Sequence, residues 1–217
     1  MAIPPLLIGL TVAGFGASTP ERLVSVEAAW RGVPDIAVGN IIGSNIANIL
    51  LTVGITSLVW PIRVSGATLR RDTAVMVAAA LVLVPTFAAG EIGRLPGAFL
   101  VLALAGYLTW AYLKPGLAID EDDAPATTSI IAAFRRQSEI AIGNIVGSNI
   151  FNVLGILGVT ALIKPIPAAE CFLNFDLTIM IVASLGLTAL LLTRPVIGRV
   201  VGMVVVAAYV AYVWSAQ

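Results

Sequence analysis

Long apolar runs alternate with short polar or charged stretches along the whole chain. Each run is at least about 18 residues long, which is enough for an α-helix to cross the hydrocarbon core of a bilayer. A further apolar stretch, SIIAAF at residues 129–134, is too short to span. The pattern predicts an all-α membrane protein with about seven transmembrane helices plus a short helix on the cytoplasmic side. The spans are expected near residues 3–30, 36–60, 72–90, 95–113, 138–163, 173–193 and 196–214.

Composition agrees with a membrane protein and excludes several functions. Hydrophobic residues make up 59% of the 217 residues and charged residues 11%, whereas roughly a quarter of residues are charged in soluble proteins. The 12 basic and 12 acidic residues balance, so no nucleic-acid partner is expected. There is no His and one Cys, Cys171, which argues against disulfides, zinc and haem. Since no Ser or Cys lies beside an evident base, an enzyme is not indicated, and no organic cofactor is expected.

The distribution of Lys and Arg predicts the orientation in the membrane. With the N-terminus in the cytoplasm, eight basic residues fall on the cytoplasmic side and three on the other, as the positive-inside rule requires. We therefore expect a multi-pass protein of the cell (plasma or inner) membrane with a cytoplasmic N-terminus. The cytoplasmic set is Arg63, Arg70, Arg71, Lys114, Arg135, Arg136, Arg194 and Arg199.

A polar linker at residues 114–126 divides the chain into two parts. It contains the consecutive acids Asp120, Glu121, Asp122 and Asp123 and is expected to be a solvated loop. Residues 1–113 hold a first repeat with its following helices, and residues 127–217 hold a second, truncated and inverted repeat with its following helices.

The two parts share a sequence motif. DIAVGNIIGSNIANIL, from residue 35, aligns with EIAIGNIVGSNIFNVL, from residue 139, and SVEAAWR at 25–31 aligns with SIIAAFR at 129–135, both at an offset of 104. One structural unit therefore occurs twice. Because the two motif spans run in opposite directions under the predicted topology, the repeat is inverted, as in many secondary transporters with a midplane binding site.

Each copy of the motif places polar residues four apart, which forms one polar stripe on a helix. Such side chains are costly in hydrocarbon unless they face a partner or a wet cavity, so the two stripes are expected to face each other. The neighbouring glycines, including Gly39 and Gly43, would let another backbone approach or let the helix loosen; simple helix packing is the alternative interpretation. The stripes are Asn40, Ser44 and Asn48 in the first copy and Asn144, Ser148 and Asn152 in the second.

The segment GFGASTPERLVSVEAAW, residues 14–30, adds an acid at membrane depth. Pro20 lies inside an apolar helix and frees a backbone carbonyl upstream. Beside it stands Glu21, and an ionisable residue at that depth is a functional-site hypothesis. Carboxylate, carbonyl, hydroxyl and amide oxygens are the ligands that hard cations such as Na⁺ and Ca²⁺ prefer.

Together, GFGASTPE, IAVGNIIGSNIAN and IAIGNIVGSNIFN resemble the two repeats of the cation/Ca²⁺ exchanger superfamily, of the sodium/calcium exchanger type. The resemblance covers most of the chain. It implies an inverted-repeat cation antiporter fold in which a Na⁺ gradient drives Ca²⁺, or another cation, by alternating access. It also implies that the ions are bound by Ser18, Glu21, Ser44, Asn48, Ser148 and Asn152.

The chain also departs from the family pattern. Ala17 stands where the family usually has Thr, and Pro125 takes the position equivalent to Glu21 in the second repeat. Against the family pattern, the chain is expected to be short of the opening helix and of the helix before the second repeat. A different class of function therefore stays open: a non-transporting remnant or assembly subunit of the same fold, in which a homodimer could supply the missing half-site.

Other charged residues have simpler interpretations. Glu27 lies four residues before Arg31, a spacing that favours an ion pair. Asp176 is expected at the membrane interface, and Arg70 and Arg71 are expected to anchor the membrane face.

Overall fold

A computed structural model describes residues 24–25, 27–28, 30–31, 33–63, 67–113, 141–167, 175–194 and 196–215. Most of the first predicted span, the acidic linker and the short helix after it lie outside these residues. The fold below concerns the described part of the chain.

The described chain forms six main helices and four two-residue strands. Helix α1 covers residues 34–59, as an α-helix at Pro34–Ile46, a π-helix at Ala47–Thr52 and an α-helix at Val53–Val59. Helix α4 covers residues 141–163 and has the same plan, with a π-helix at Phe151–Leu157 and a final α-helix at Gly158–Ile163. The other elements are β1 (Ile62–Arg63), α2 (Ala67–Ala88), β2 (Glu91–Ile92), α3 (Arg94–Leu113), β3 (Ile166–Pro167), α5 (Leu177–Thr193), β4 (Val196–Ile197) and α6 (Arg199–Ser215).

These helices correspond to six of the seven predicted spans. Four of them are long and apolar enough to cross a membrane, while α5 and α6 are apolar helices of 17 residues each. The predicted start of the third span, residue 72, is five residues late because α2 begins at Ala67. The hydropathy pattern leaves out Arg70 and Arg71, whereas both lie inside the helix, and Arg71 forms an ion pair with Asp72 at 2.7 Å.

The two halves are related by an approximate twofold axis. Strand β1 pairs with β4, with Ile62 opposite Ile197, and β2 pairs with β3, with Ile92 opposite Ile166. Each half thus contributes one strand to each small sheet. Because α2 crosses the protein between β1 and β2, the two sheets lie at opposite ends. This places the loops around Arg63 and Arg194 on one face and those around Arg94 and Lys164 on the other, as the orientation analysis predicts.

The halves also interlock through close helix crossings at glycines. The last turns of α1 pack on α6, and those of α4 pack on α3. A Cβ atom at Gly97 of α3 would lie 2.9 Å from the carbonyl oxygen of Gly158, and one at Gly202 of α6 would lie 2.9 Å from that of Gly54. A Cβ at Gly43 would meet nothing within 4 Å. Of the two roles predicted for the motif glycines, a close approach of another backbone is not seen at Gly43 among the described residues, and the close contacts lie farther along each motif helix.

Candidate ion-binding site

Both motif helices widen at the polar residues. The π-helical stretches Ala47–Thr52 and Phe151–Leu157 contain Asn48 and Asn152, the last members of the two polar stripes. A π-helical turn changes the backbone hydrogen-bond pattern and is frequent at functional sites. The helices loosen here, a few residues after the motif glycines.

Two reciprocal hydrogen bonds join α1 to α4 at this point. Asn48 donates through Nδ2 to Oδ1 of Asn149 at 3.3 Å, and Asn152 donates through Nδ2 to Oδ1 of Asn45 at 2.9 Å. The residue number rises along one helix as it falls along the other, so the two helices are antiparallel at their crossing. The predicted inversion of the repeat is thereby confirmed.

Each accepting Asn is held by a methionine of the opposite half. Asn45 donates to the sulfur of Met180 at 3.5 Å, and Asn149 donates to the sulfur of Met76 at 3.6 Å. Met76 and Met180 are themselves 104 residues apart, on α2 and α5. The result is two equivalent chains, Asn152–Asn45–Met180 and Asn48–Asn149–Met76, around the twofold axis.

Among the described residues, two buried carboxamide oxygens lack a hydrogen-bond partner, those of Asn144 and Asn152, and the second belongs to this crossing. Oδ1 of Asn152 has no hydrogen-bond partner among the described residues, and only 1% of the residue is exposed. A buried unsatisfied acceptor costs roughly 1–3 kcal/mol. Such an oxygen is a candidate ligand for a cation.

The structure places four of the six predicted site residues. Ser148 and Asn152 are buried, and Ser44 and Asn48 are half-buried. Ser18 and Glu21 lie outside the described residues. Asn40, the first residue of its stripe, donates to Oγ of Ser25 at 3.0 Å. The hydrogen bonds between α1 and α4 are made by the last member of each stripe, Asn48 and Asn152.

Asn45 and Asn149 were not predicted as site residues although both stand in the motif. A stripe of residues four apart selects one helix face, whereas Asn45 and Asn149 lie on the adjoining face, three residues before Asn48 and Asn152. The usable signal is that these residues, like Met76 and Met180, recur at the offset of 104.

Glu27, Arg71 and Asp176 each have a partner other than these amides. Arg31 forms the predicted ion pair with Glu27, and both are exposed. Arg71 is more than a membrane-face anchor, because it pairs with buried Asp72 and lies 5.1 Å from the ring centre of Trp110. Asp176 precedes α5, half-buried, and accepts a hydrogen bond from Tyr212 at 3.0 Å.

In the part of the chain that the structure describes, each half contributes three helices, and the two halves are inverted copies whose polar helices widen and cross at the twofold axis. This arrangement defines an inverted-repeat cation antiporter of the membrane. The chain belongs to the sodium/calcium exchanger protein family, whose sequence model matches residues 1–113 and 126–216. The match leaves out residues 114–125, which are most of the acidic linker.

Individual relatives agree with this family. The putative antiporter CaxA of Alkalimonas amylolytica is 30% identical over 278 residues, which covers 97% of this chain and 87% of CaxA. The sodium/calcium exchanger MaX1 of Methanosarcina acetivorans is 40% identical over 109 residues, 50% of this chain and 31% of MaX1. Since the match with CaxA is longer than the 217-residue chain, that alignment contains gaps within this chain.

A solved structure shows the same fold. The sodium-calcium exchanger NCX_Mj superposes with a TM-score of 0.81 at 23% sequence identity, over 99% of this chain and 88% of that chain. The predicted all-α, inverted-repeat antiporter fold is confirmed.

Proposed function

We propose that this antiporter binds Na⁺ and Ca²⁺ in turn at the crossing of α1 and α4, with Ser44, Asn48, Ser148 and Asn152 as oxygen ligands. The observation that carries the proposal is the buried oxygen of Asn152, which has no hydrogen-bond partner among the described residues and lies where the inverted repeats meet. Amide and hydroxyl oxygens are suitable ligands for both ions.

The negative charge of the site comes from Glu21 in this proposal. The described residues contain no group of three or more His, Cys, Asp or Glu side chains that could hold a metal ion. Neutral oxygens alone leave a divalent cation under-neutralised in a medium of low dielectric constant. We therefore assign the carboxylate to Glu21 and a further hydroxyl to Ser18, both from the sequence motif, with no organic cofactor.

The inverted repeat supplies a route to alternating access. The half-site of the second repeat is buried, with Ser148 4% and Asn152 1% exposed, whereas Ser44 and Asn48 of the first repeat are half-buried. In inverted-repeat transporters one repeat or bundle moves against the other around a fixed site. The opposite state would then expose the second half-site and close the first. The protein would work in the cell membrane with its N-terminus in the cytoplasm.

The experiment is Na⁺-gradient-driven Ca²⁺ uptake into liposomes that contain the purified protein. Glu21→Gln keeps the shape of the side chain but removes its charge, so uptake is expected to fall to the protein-free background. Glu27→Gln is the matched control, because Glu27 is exposed and paired with Arg31; it should retain nearly full uptake. Equal uptake by Glu21→Gln and the wild type would contradict the assignment of Glu21.

The second candidate function is a non-transporting remnant or assembly subunit. It is favoured by Pro125, which stands where the second repeat should carry the equivalent of Glu21. No uptake by the folded wild-type protein, together with no ion binding, would favour this candidate. If a homodimer supplies the missing acid, uptake should instead appear only in liposomes that hold two or more chains.

A further inference from the structure

We infer that Met180 and Met76 are positioning residues. Acting through Asn45 and Asn149, they determine which end of the amides of Asn152 and Asn48, the candidate ligands, is turned toward the ion. The inference rests on the proposed function for the assignment of Asn48 and Asn152 as ion ligands. The hydrogen bonds from which it is argued do not depend on transport. The inference goes beyond the ligand set because neither methionine, and neither of the asparagines through which they act, is itself proposed to touch the ion.

The reason lies in the two ends of a carboxamide. Its C=O and NH₂ ends are nearly equal in size, so packing alone does not select one orientation, whereas only the oxygen can bind a cation. A flipped Asn152 would present two N–H donors to the ion and lose the ligand. A site built from asparagine therefore needs a device that fixes the orientation of the amide.

The sulfur of Met180 provides such a device. A thioether accepts hydrogen bonds and cannot donate them, so it takes the NH₂ end of Asn45, at 3.5 Å. The oxygen of Asn45 is then turned toward Asn152 and accepts its NH₂ end at 2.9 Å. The remaining atom of the Asn152 amide is its oxygen, which has no partner among the described residues.

The second chain repeats the same order of donors and acceptors. Met76 accepts from Asn149 at 3.6 Å, and the oxygen of Asn149 accepts from Asn48 at 3.3 Å. Met76, Met180, Asn45 and Asn149 are each at most 2% exposed, so water does not compete for these hydrogen bonds. The arrangement is kept in both copies of the duplicated unit, which favours a selected function over a chance contact.

The test is the variant Met180→Leu, which keeps a similar volume and removes the acceptor. Asn45 and Asn152 can then flip together, and equilibrium binding of radioactive Ca²⁺ by the purified protein should weaken on the order of fivefold, as expected for losing one orienting hydrogen bond. Met203→Leu is the matched control, because Met203 is 54% exposed on α6; its Ca²⁺ affinity should not change. Met76→Leu tests the second chain and should weaken binding through Asn48.

A double variant separates positioning from packing. The carboxylate of Asn152→Asp has two equivalent oxygens and therefore no wrong end. Because it cannot donate to the oxygen of Asn45, adding Met180→Leu frees Asn45 to turn its NH₂ end to the carboxylate, and the Ca²⁺ affinity in this background should be unchanged or higher. If Met180 served only to fill space, the same loss would occur in both backgrounds. Equal losses in the two backgrounds would overturn the inference.

A readout without ions keeps this inference distinct from the proposed function. In protein labelled with ¹⁵N at asparagine side chains, the NH₂ signals that vanish in Asn152→Asp belong to Asn152. They should form one set in the wild type and two sets, or one broadened by exchange, in Met180→Leu. That result in a protein that binds no Ca²⁺ would support positioning and refute the function; an unchanged single set would overturn the inference.

Discussion

At the residue scale, the candidate site depends on side chains that do not use their oxygen within their own helix. Several buried hydroxyl groups of the described residues bond backward along the helix, as Ser184 does to the carbonyl of Met180 at 2.8 Å and Thr73 to that of Leu69 at 2.9 Å. This back-bonding satisfies a Ser or Thr in an apolar helix at little cost. Ser148 is proposed to use its oxygen on the ion.

A serine-to-alanine comparison tests this difference. Ser148→Ala should weaken Ca²⁺ binding about 3–10-fold, because it removes one oxygen ligand worth roughly 1 kcal/mol. Ser184→Ala is the same chemical change at an equally buried position and should leave Ca²⁺ affinity unaltered, since the hydroxyl of Ser184 bonds to its own helix. Binding is measured at equilibrium with purified protein. Equal affinity in both variants would remove Ser148 from the ligand set.

At the scale of elements, the glycine crossings hold each motif helix against the last helix of the other half. Gly97 of α3 lies against Gly158 of α4, and Gly202 of α6 lies against Gly54 of α1. Small residues let transmembrane helices approach closely, which increases van der Waals packing where no hydrophobic driving force exists. The position of each ligand-bearing helix thus depends on a glycine in the other half.

Adding one methyl group at such a crossing should destabilise the protein. In Gly97→Ala the new Cβ would lie 2.9 Å from the oxygen of Gly158 and 3.0 Å from the Cβ of Ala161, so the helices must shift, at a cost of about 1–3 kcal/mol. The control is Gly106→Ala on the same helix, where a Cβ meets nothing within 4 Å. It should be neutral or stabilise by up to about 1 kcal/mol through helix propensity.

Thermal unfolding in detergent, followed by circular dichroism, distinguishes the two variants. A lower midpoint for Gly97→Ala together with an unchanged or higher midpoint for Gly106→Ala is expected. Equal midpoints would mean that the α3–α4 crossing is looser than described and does not constrain the site.

At the scale of the whole molecule, the strand pairs sort the loops into two faces. The first face contains β1 and β4, with the exposed residues Arg70 and Arg194 close to them, and the second contains β2 and β3, with Glu91 and Lys164. The structure fixes which loops lie together. The positive-inside rule adds the expectation that the first face is cytoplasmic.

Cysteine labelling in intact cells tests this arrangement in a Cys171→Ser background. A membrane-impermeant maleimide should label Glu91→Cys and Lys164→Cys directly, and Arg70→Cys and Arg194→Cys only after the membrane is opened. The converse labelling of the two pairs would reverse the orientation and leave the fold intact. Different behaviour within one pair would contradict the strand pairing itself.

The part of the fold that could be predicted is the part that depends on apolar length and on the sequence repeat. Apolar length marks the spans because each helix must be about as long as the bilayer core is thick, and the repeat at an offset of 104 gives the inversion. Hydropathy is less exact at the ends of a helix: the predicted third span leaves out Arg71, which lies inside α2 paired with Asp72. A small residue permits a close approach and does not require one, so the sequence left the role of Gly43 open between close approach and helix loosening.

By itself the sequence determined the class of protein, the duplicated unit, the polar stripes and the family, because these depend on composition and local spacing. Only the tertiary structure decided which amide faces which. Asn45 meets Asn152, and Asn149 meets Asn48, through the crossing of two helices about a hundred residues apart in the chain. The methionines behind them come from helices of the opposite half. Such partners are set by antiparallel packing around the twofold axis, and the periodicity of a single helix does not record them.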